Sequence, residues 1–141
     1  QKTAYEIRPR DWSSDVCSSD LAGPRRGTFD AQGRLWFAEY AGDKMGMFDT
    51  KTEKFMEFDP GIKWFAPYSA STPDKFGRAY ASSHSADRLM RADPKTGEIV
   101  LYLMPTQDFD AKVLRIDPTN GTTVLFVNKR SARVVKVEPL D

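Results

Sequence analysis

Residues Gly33–Asp49 read GRLWFAEYAGDKMGMFD, and Gly77–Asp93 read GRAYASSHSADRLMRAD. The two stretches lie 44 residues apart and match without a gap. At that offset Arg34 meets Arg78, Trp36 meets Tyr80, Asp43 meets Asp87, Lys44 meets Arg88 and Asp49 meets Asp93, and Lys51-Thr52 meets Lys95-Thr96. A weaker third copy lies 89 residues beyond the first, where Leu125–Asn128 falls over Trp36–Glu39 and Arg133–Glu138 over Lys44–Asp49. A period in the mid-forties, made of short β-rich runs and turns, marks propeller blades. The predicted fold class is therefore all-β, a partial β-propeller of about three four-stranded blades. The blades are expected at residues 22–65, 66–109 and 110–141, the last incomplete, with residues 1–10 as the last strand of a preceding blade.

Each unit reads as strand, turn and strand. The first strand enters at Arg26–Phe29 and meets the turn Asp30–Gly33, repeated as Asp74–Gly77. Asp can bond the backbone of its own turn, and Gly takes positive φ without steric cost. Leu35–Glu39 is continuously apolar over Leu-Trp-Phe-Ala, as suits a strand covered on both faces. Third strands are expected at Lys44–Phe48 and Arg88–Ala92, and fourth strands at Lys54–Phe58 and Glu98–Leu103. Asp117–Gly121 fits either the turn between third and fourth strands or an enlarged Asp30–Gly33 turn. The second reading keeps the period near 45.

The length of 141 residues holds three such units, whereas closed propellers have about four to eight. The chain reads as a piece of a longer protein whose remaining blades are its first partners. Lys and Arg total 21 against 20 Asp and Glu, and the basic residues are scattered, which argues against a nucleic-acid surface. No apolar run approaches the ~18 residues of a membrane span. No signal segment opens the chain, but a fragment can lose one. A periplasmic or secreted location is slightly favoured over the cytoplasm.

Asp11–Leu21, DWSSDVCSSDL, has no blade periodicity. It resembles one reading frame through a widely used sequencing adapter, and Arg10 fits the same frame. Setting it aside removes Trp12 and Cys17 from any functional argument and leaves no cysteine chemistry.

Pro24–Gly27, Asp30–Glu39, Asp43–Gly46 and Asp49–Thr52 together resemble a blade of the virginiamycin B lyase (streptogramin lyase) family. The ending Val134–Asp141 is similar to the last strand of bacterial proteins of that family. The resemblance implies a seven-bladed parent. It also implies, for the lyases, a Mg2+ ion and a general acid–base pair that open a cyclic depsipeptide, streptogramin B, by elimination without water. The family's catalytic His stands ten residues before the Trp, where this chain has Arg26, and Ala70 holds that place 44 residues on. The family's metal-binding Glu stands where this chain has Pro24. Neither Arg nor Ala acts as a base at neutral pH.

Two functions stay open: a ligand-binding or scaffold module that is not catalytic by itself, and a part of a Mg2+-dependent lyase. The loops after each second strand are expected at one mouth of the channel, carrying Glu39, Tyr40, Ser83, His84, Asn128, Lys129 and Arg130. Glu39 and His84 are the catalytic candidates, and His84 is the one histidine. Arg26, Tyr40, Trp64, Lys129 and Arg130 are the candidates for holding a small-molecule ligand, with Trp64 as an apolar pocket wall or packed on a neighbouring blade. No Cys/His metal cluster, Gly-rich phosphate loop or Ser nucleophile context is present. Met45, Met47, Met90 and the aromatic stripe are expected in the core. The piece alone is expected to be inactive and to associate edge to edge.

Overall fold

The computed structural model describes residues 22–105, 107 and 110–140. The readings of Gln1–Pro9 as a strand and of Asp11–Leu21 as an adapter lie outside these residues. Within them, β-branched and aromatic runs cut by Gly, Pro, Asp and Asn fold as strands, and no helix forms.

The strands make three antiparallel meanders. The first holds β1 (Pro24–Phe29), β2 (Arg34–Glu39), β3 (Lys44–Asp49) and β4 (Lys54–Phe58). The second holds β5 (Ser69–Ala70), β6 (Ala79–Ser82), β7 (Arg88–Ala92) and β8 (Ile99–Leu103). The third holds β9 (Ala111–Ile116), β10 (Val124–Asn128) and β11 (Arg133–Val137). Asp117–Gly121 joins β9 to β10, so it takes the place of the Asp30–Gly33 turn.

Local chemistry repeats with the sheets. Asp30 Oδ1 accepts the N–H groups of Gln32 and Arg34, and Asp74 Oδ1 accepts those of Phe76 and Arg78. The residue before each third strand is left-handed: Asp43 (φ 61°), Asp87 (φ 48°) and Ala132 (φ 51°). Asp tolerates that conformation better than Ala.

Side chains alternate across each strand, so the middle sheet presents two faces. Ala70, Ala79, Ala81, Met90 and Ala92 meet Trp36, Met45, Met47 and Phe58 of the first sheet. The alanines leave room for the large ring of Trp36, which stacks on Phe58 at 5.9 Å. Burying such an aromatic stabilises the fold by about 1.5–3 kcal/mol. On the other face Tyr80 and Leu89 meet Leu114, Val124 and Phe126 of the third sheet. Met45, Met47 and Met90 are buried, as the sequence suggests. Phe37 is covered differently from expectation. Its ring lies over Gly46, its cross-strand partner, and meets Phe55 edge-on at 6.5 Å, so its own sheet shields it.

Candidate functional site

The first strand of every sheet lies at one edge, and β5 touches both β1 and β9. Between them is a space of about 180 Å³ lined by Arg26, Gly27, Ser69, Ala70, Val113 and Arg115. At the end where β1 and β9 begin and β2 and β6 finish, side chains of all three sheets converge.

Two bulges aim them. Pairing of β1 with β2 steps from Arg25↔Ala38 to Gly27↔Phe37, leaving Arg26 as the extra residue. Pairing of β9 with β10 steps from Ala111↔Asn128 to Val113↔Val127, leaving Lys112 extra. A bulge breaks strict alternation and re-aims side chains. Arg25 and Arg26, adjacent in sequence, consequently both stand over the Tyr68 ring, each with Cζ 5.1 Å from its centroid. Lys112 Nζ lies 4.0 Å from the same centroid. Arg25 also covers Tyr40 at 4.1 Å. Arg26 Nη1 donates to the Lys112 carbonyl at 3.1 Å, tying the two bulges together. Each cation over a ring is worth about 0.5–1 kcal/mol when exposed.

His84 and Asp110 complete the cluster. Lys112 Nζ donates to Asp110 Oδ1 at 2.7 Å, and His84 Nδ1 lies 2.7 Å from the same oxygen. With the proton on Nδ1, His84 donates to the carboxylate and keeps Nε2 as its basic nitrogen. Burial pushes the Asp110 carboxyl up, but the hydrogen bonds and charges of Lys112 and His84 outweigh it and hold its pKa below the usual value. Tyr40 and Tyr68 flank the imidazole, with centroids 5.7 and 6.3 Å away.

The loops are held from below. Asp43 accepts the N–H groups of Trp64 and Ala66 at 2.9 and 2.8 Å, fixing the loop that delivers Tyr68. Asn128 Oδ1 accepts the Asp110 N–H at 3.3 Å, and the Lys129 N–H donates to the Asp110 carbonyl at 3.0 Å. Asn128 Nδ2 is buried beside them with no acceptor among the described residues. An unmade bond of this kind costs roughly 1–3 kcal/mol.

Of the residues singled out in the sequence, Arg26, Tyr40 and His84 come together here. Glu39 is only 1% exposed, its oxygens packed against Gly42 and Gly46. Ser83 is buried and caps its own loop, its Oγ accepting the Ser85 and Ala86 N–H groups. Lys129 and Arg130 have exposed side chains, and their backbone N–H groups do the positioning. Trp64 is 79% exposed, apart from the Tyr40, Tyr68 and His84 cluster, and its ring packs on no neighbouring sheet among the described residues. Arg25, Tyr68, Asp110 and Lys112 were not expected. The Arg25-Arg26 pair is visible in the sequence, but a bulge leaves no mark there.

The family resemblance implies Mg2+. At this mouth the Asp110 carboxylate already serves Lys112 and His84, with Arg25 and Arg26 around the same Tyr68 ring. Among the described residues no three of His, Cys, Asp and Glu gather as a metal site requires. These residues do not fit a divalent cation.

No family profile and no curated protein sequence matches the chain. Solved structures do. Virginiamycin B lyase from Staphylococcus aureus superimposes with TM-score 0.65 at 15% identity, over 89% of this chain and 44% of that one. The fold is that of a β-propeller. A catalytically inactive variant of the same lyase, solved with quinupristin, matches equally well. The nidogen/laminin complex matches with TM-score 0.64 at 11% identity, covering 82% of this chain and 44% of the other. A putative 6-phosphogluconolactonase from Bacteroides uniformis matches with TM-score 0.56 at 20% identity, covering 82% and 38%. The chain spans less than half the length of each, and identities this low carry the fold alone. No helix among the described residues is long and apolar enough to cross a membrane.

Proposed function

We propose that this chain is a ligand-binding module of a larger propeller, taking a small molecule at the mouth built by Arg25, Tyr40, Tyr68, His84 and Lys112. One observation carries the reading: three sheets bring cations and partly exposed tyrosines to one point, and two bulges serve to place them. Ligands favour concave sites where several elements meet. Remaining blades of the parent are its structural partners, and catalysis by this piece alone is not expected. Backbone amide NMR of the chain with a mixed small-molecule panel tests the reading. Shifts centred on Tyr40, Tyr68 and His84 are expected, and a panel that moves none of them sinks it.

The second reading, part of a Mg2+-dependent lyase, is favoured by the likeness to virginiamycin B lyase. It is weakened by Pro24, Arg26 and Ala70 at the places the resemblance reserves for Glu and His. Elimination leaves the mass unchanged, so chromatography of quinupristin with the chain and Mg2+ is the assay. No conversion is expected, and conversion lost in His84→Ala would restore the lyase reading.

A further inference from the structure

We infer that the mouth takes an oxyanion, the carboxylate or phosphate group of a small organic ligand, where the family resemblance implies a metal ion. This rests on the proposed function above and names the chemistry of the same site.

Charge is the first argument. Arg25, Arg26 and Lys112 surround one tyrosine ring, and Asp110 is the carboxylate tied into their network. Around the Tyr68 ring the described residues set two guanidinium groups and one lysine amine against the single carboxylate of Asp110, with Glu39 buried behind them, and Arg115 adds a cation along the inner space. Among the described residues Arg25 makes neither an ion pair nor a side-chain hydrogen bond; its guanidinium rests on Tyr40 and Tyr68. A guanidinium so placed offers a planar fork that matches two oxygens of a carboxylate or phosphate.

Geometry is the second. Both bulged positions carry a cation, and the Arg26 bond to the Lys112 carbonyl fixes their spacing. Stacking on tyrosine lowers the freedom these long side chains lose when a ligand arrives, which is preorganisation. Asn128 Nδ2, buried beside Asp110, is a further donor with no acceptor among the described residues.

Titration calorimetry and NMR on the chain, with inorganic phosphate, sodium acetate and MgCl2 as separate probes at low salt, decide it. Saturable binding of phosphate, acetate or both is expected, with shifts at Tyr68 and His84 and none from Mg2+. Phosphate alone would assign a phosphorylated ligand, and acetate alone a carboxylate. Arg25→Gln should weaken binding roughly tenfold, the size of one charge-assisted hydrogen bond. Lys95→Gln, at the opposite end of the sheets, should leave it unchanged. Anion binding indifferent to Arg25→Gln overturns the inference, as does Mg2+ binding at the mouth. If uncharged molecules of the panel shift the mouth and neither anion does, the anion assignment falls and the binding module stands. If nothing shifts it, both fall.

Discussion

The Trp36 indole N–H donates to Asp30 Oδ2 at 2.9 Å, and 44 residues on the Tyr80 hydroxyl donates to Asp74 Oδ2 at 3.1 Å. In the first and second sheets one carboxylate thus serves its turn backbone, the following Arg and the buried aromatic of the second strand. Asp30→Ala removes all of these acceptors and leaves buried donors unmade. A loss of about 2–4 kcal/mol is expected in urea unfolding followed by Trp fluorescence. Asp74→Ala should cost a similar amount. A loss below about 0.5 kcal/mol for either would contradict the role given to the turn.

Glu53 is left-handed at φ 57°, where the second sheet has Gly97 at φ 77°. Ala132 at φ 51° stands where the other sheets have Asp. A side chain in this region is strained by about 1–2 kcal/mol. Glu53→Gly and Ala132→Gly should each raise stability by roughly 0.5–1 kcal/mol once the larger entropy of unfolded Gly is counted. Thermal unfolding checks both, and a lower melting temperature in both would refute the strain.

Gly46 is demanded by contact and not by φ. A Cβ there would overlap the Phe37 ring and crowd Glu39 Oε1. Gly46→Ala should destabilise by about 1–3 kcal/mol. Combining it with Phe37→Leu should restore part of that loss, a coupling a double-mutant cycle can read. Strict additivity would show that the ring is not the obstacle.

The fold was legible because its signals are local and repeated. The 44-residue offset, the Asp turns and the apolar second strands each report one sheet's chemistry without reference to the others. The site was legible only in part. Tyr40 and His84 follow second strands and could be placed by position. Arg25, Tyr68, Asp110 and Lys112 depend on bulges at Arg26 and Lys112 and on the loop that Asp43 organises. Those are decided by pairing between segments far apart in the chain. The setting of Trp64 was hidden for a related reason: the backbone around it turns left-handed, and its ring stands in solvent.

The outer face of the third sheet carries Val127 and Val134 side by side on two strands. Val127 is 45% and Val134 75% exposed. An apolar row of this kind, on a sheet whose β11 edge pairs with no strand among the described residues, favours association. Sedimentation velocity should show concentration-dependent self-association that Val134→Lys reduces. A chain that stays monomeric at all concentrations would contradict this.

Stability should fall in acid, and the sign follows from two carboxyls. Burial pushes Asp30 up, but hydrogen bonds from Trp36, Arg34 and Gln32 outweigh it, and Asp110 is likewise held low by Lys112 and His84. A carboxyl whose folded pKa lies below its ordinary 3.8 binds its proton more readily when unfolded. Its contribution is complete well above 3.8 and is lost as the pH falls through the folded value. Urea midpoints should therefore be level from about pH 7 to pH 5 and drop below about pH 4. Asp30→Asn, less stable at neutral pH, should lessen that drop, because one of the groups that titrate is gone. A wild-type midpoint unchanged between about pH 5 and pH 2.5, or an equal slope in Asp30→Asn, would show that these carboxylates do not anchor the fold.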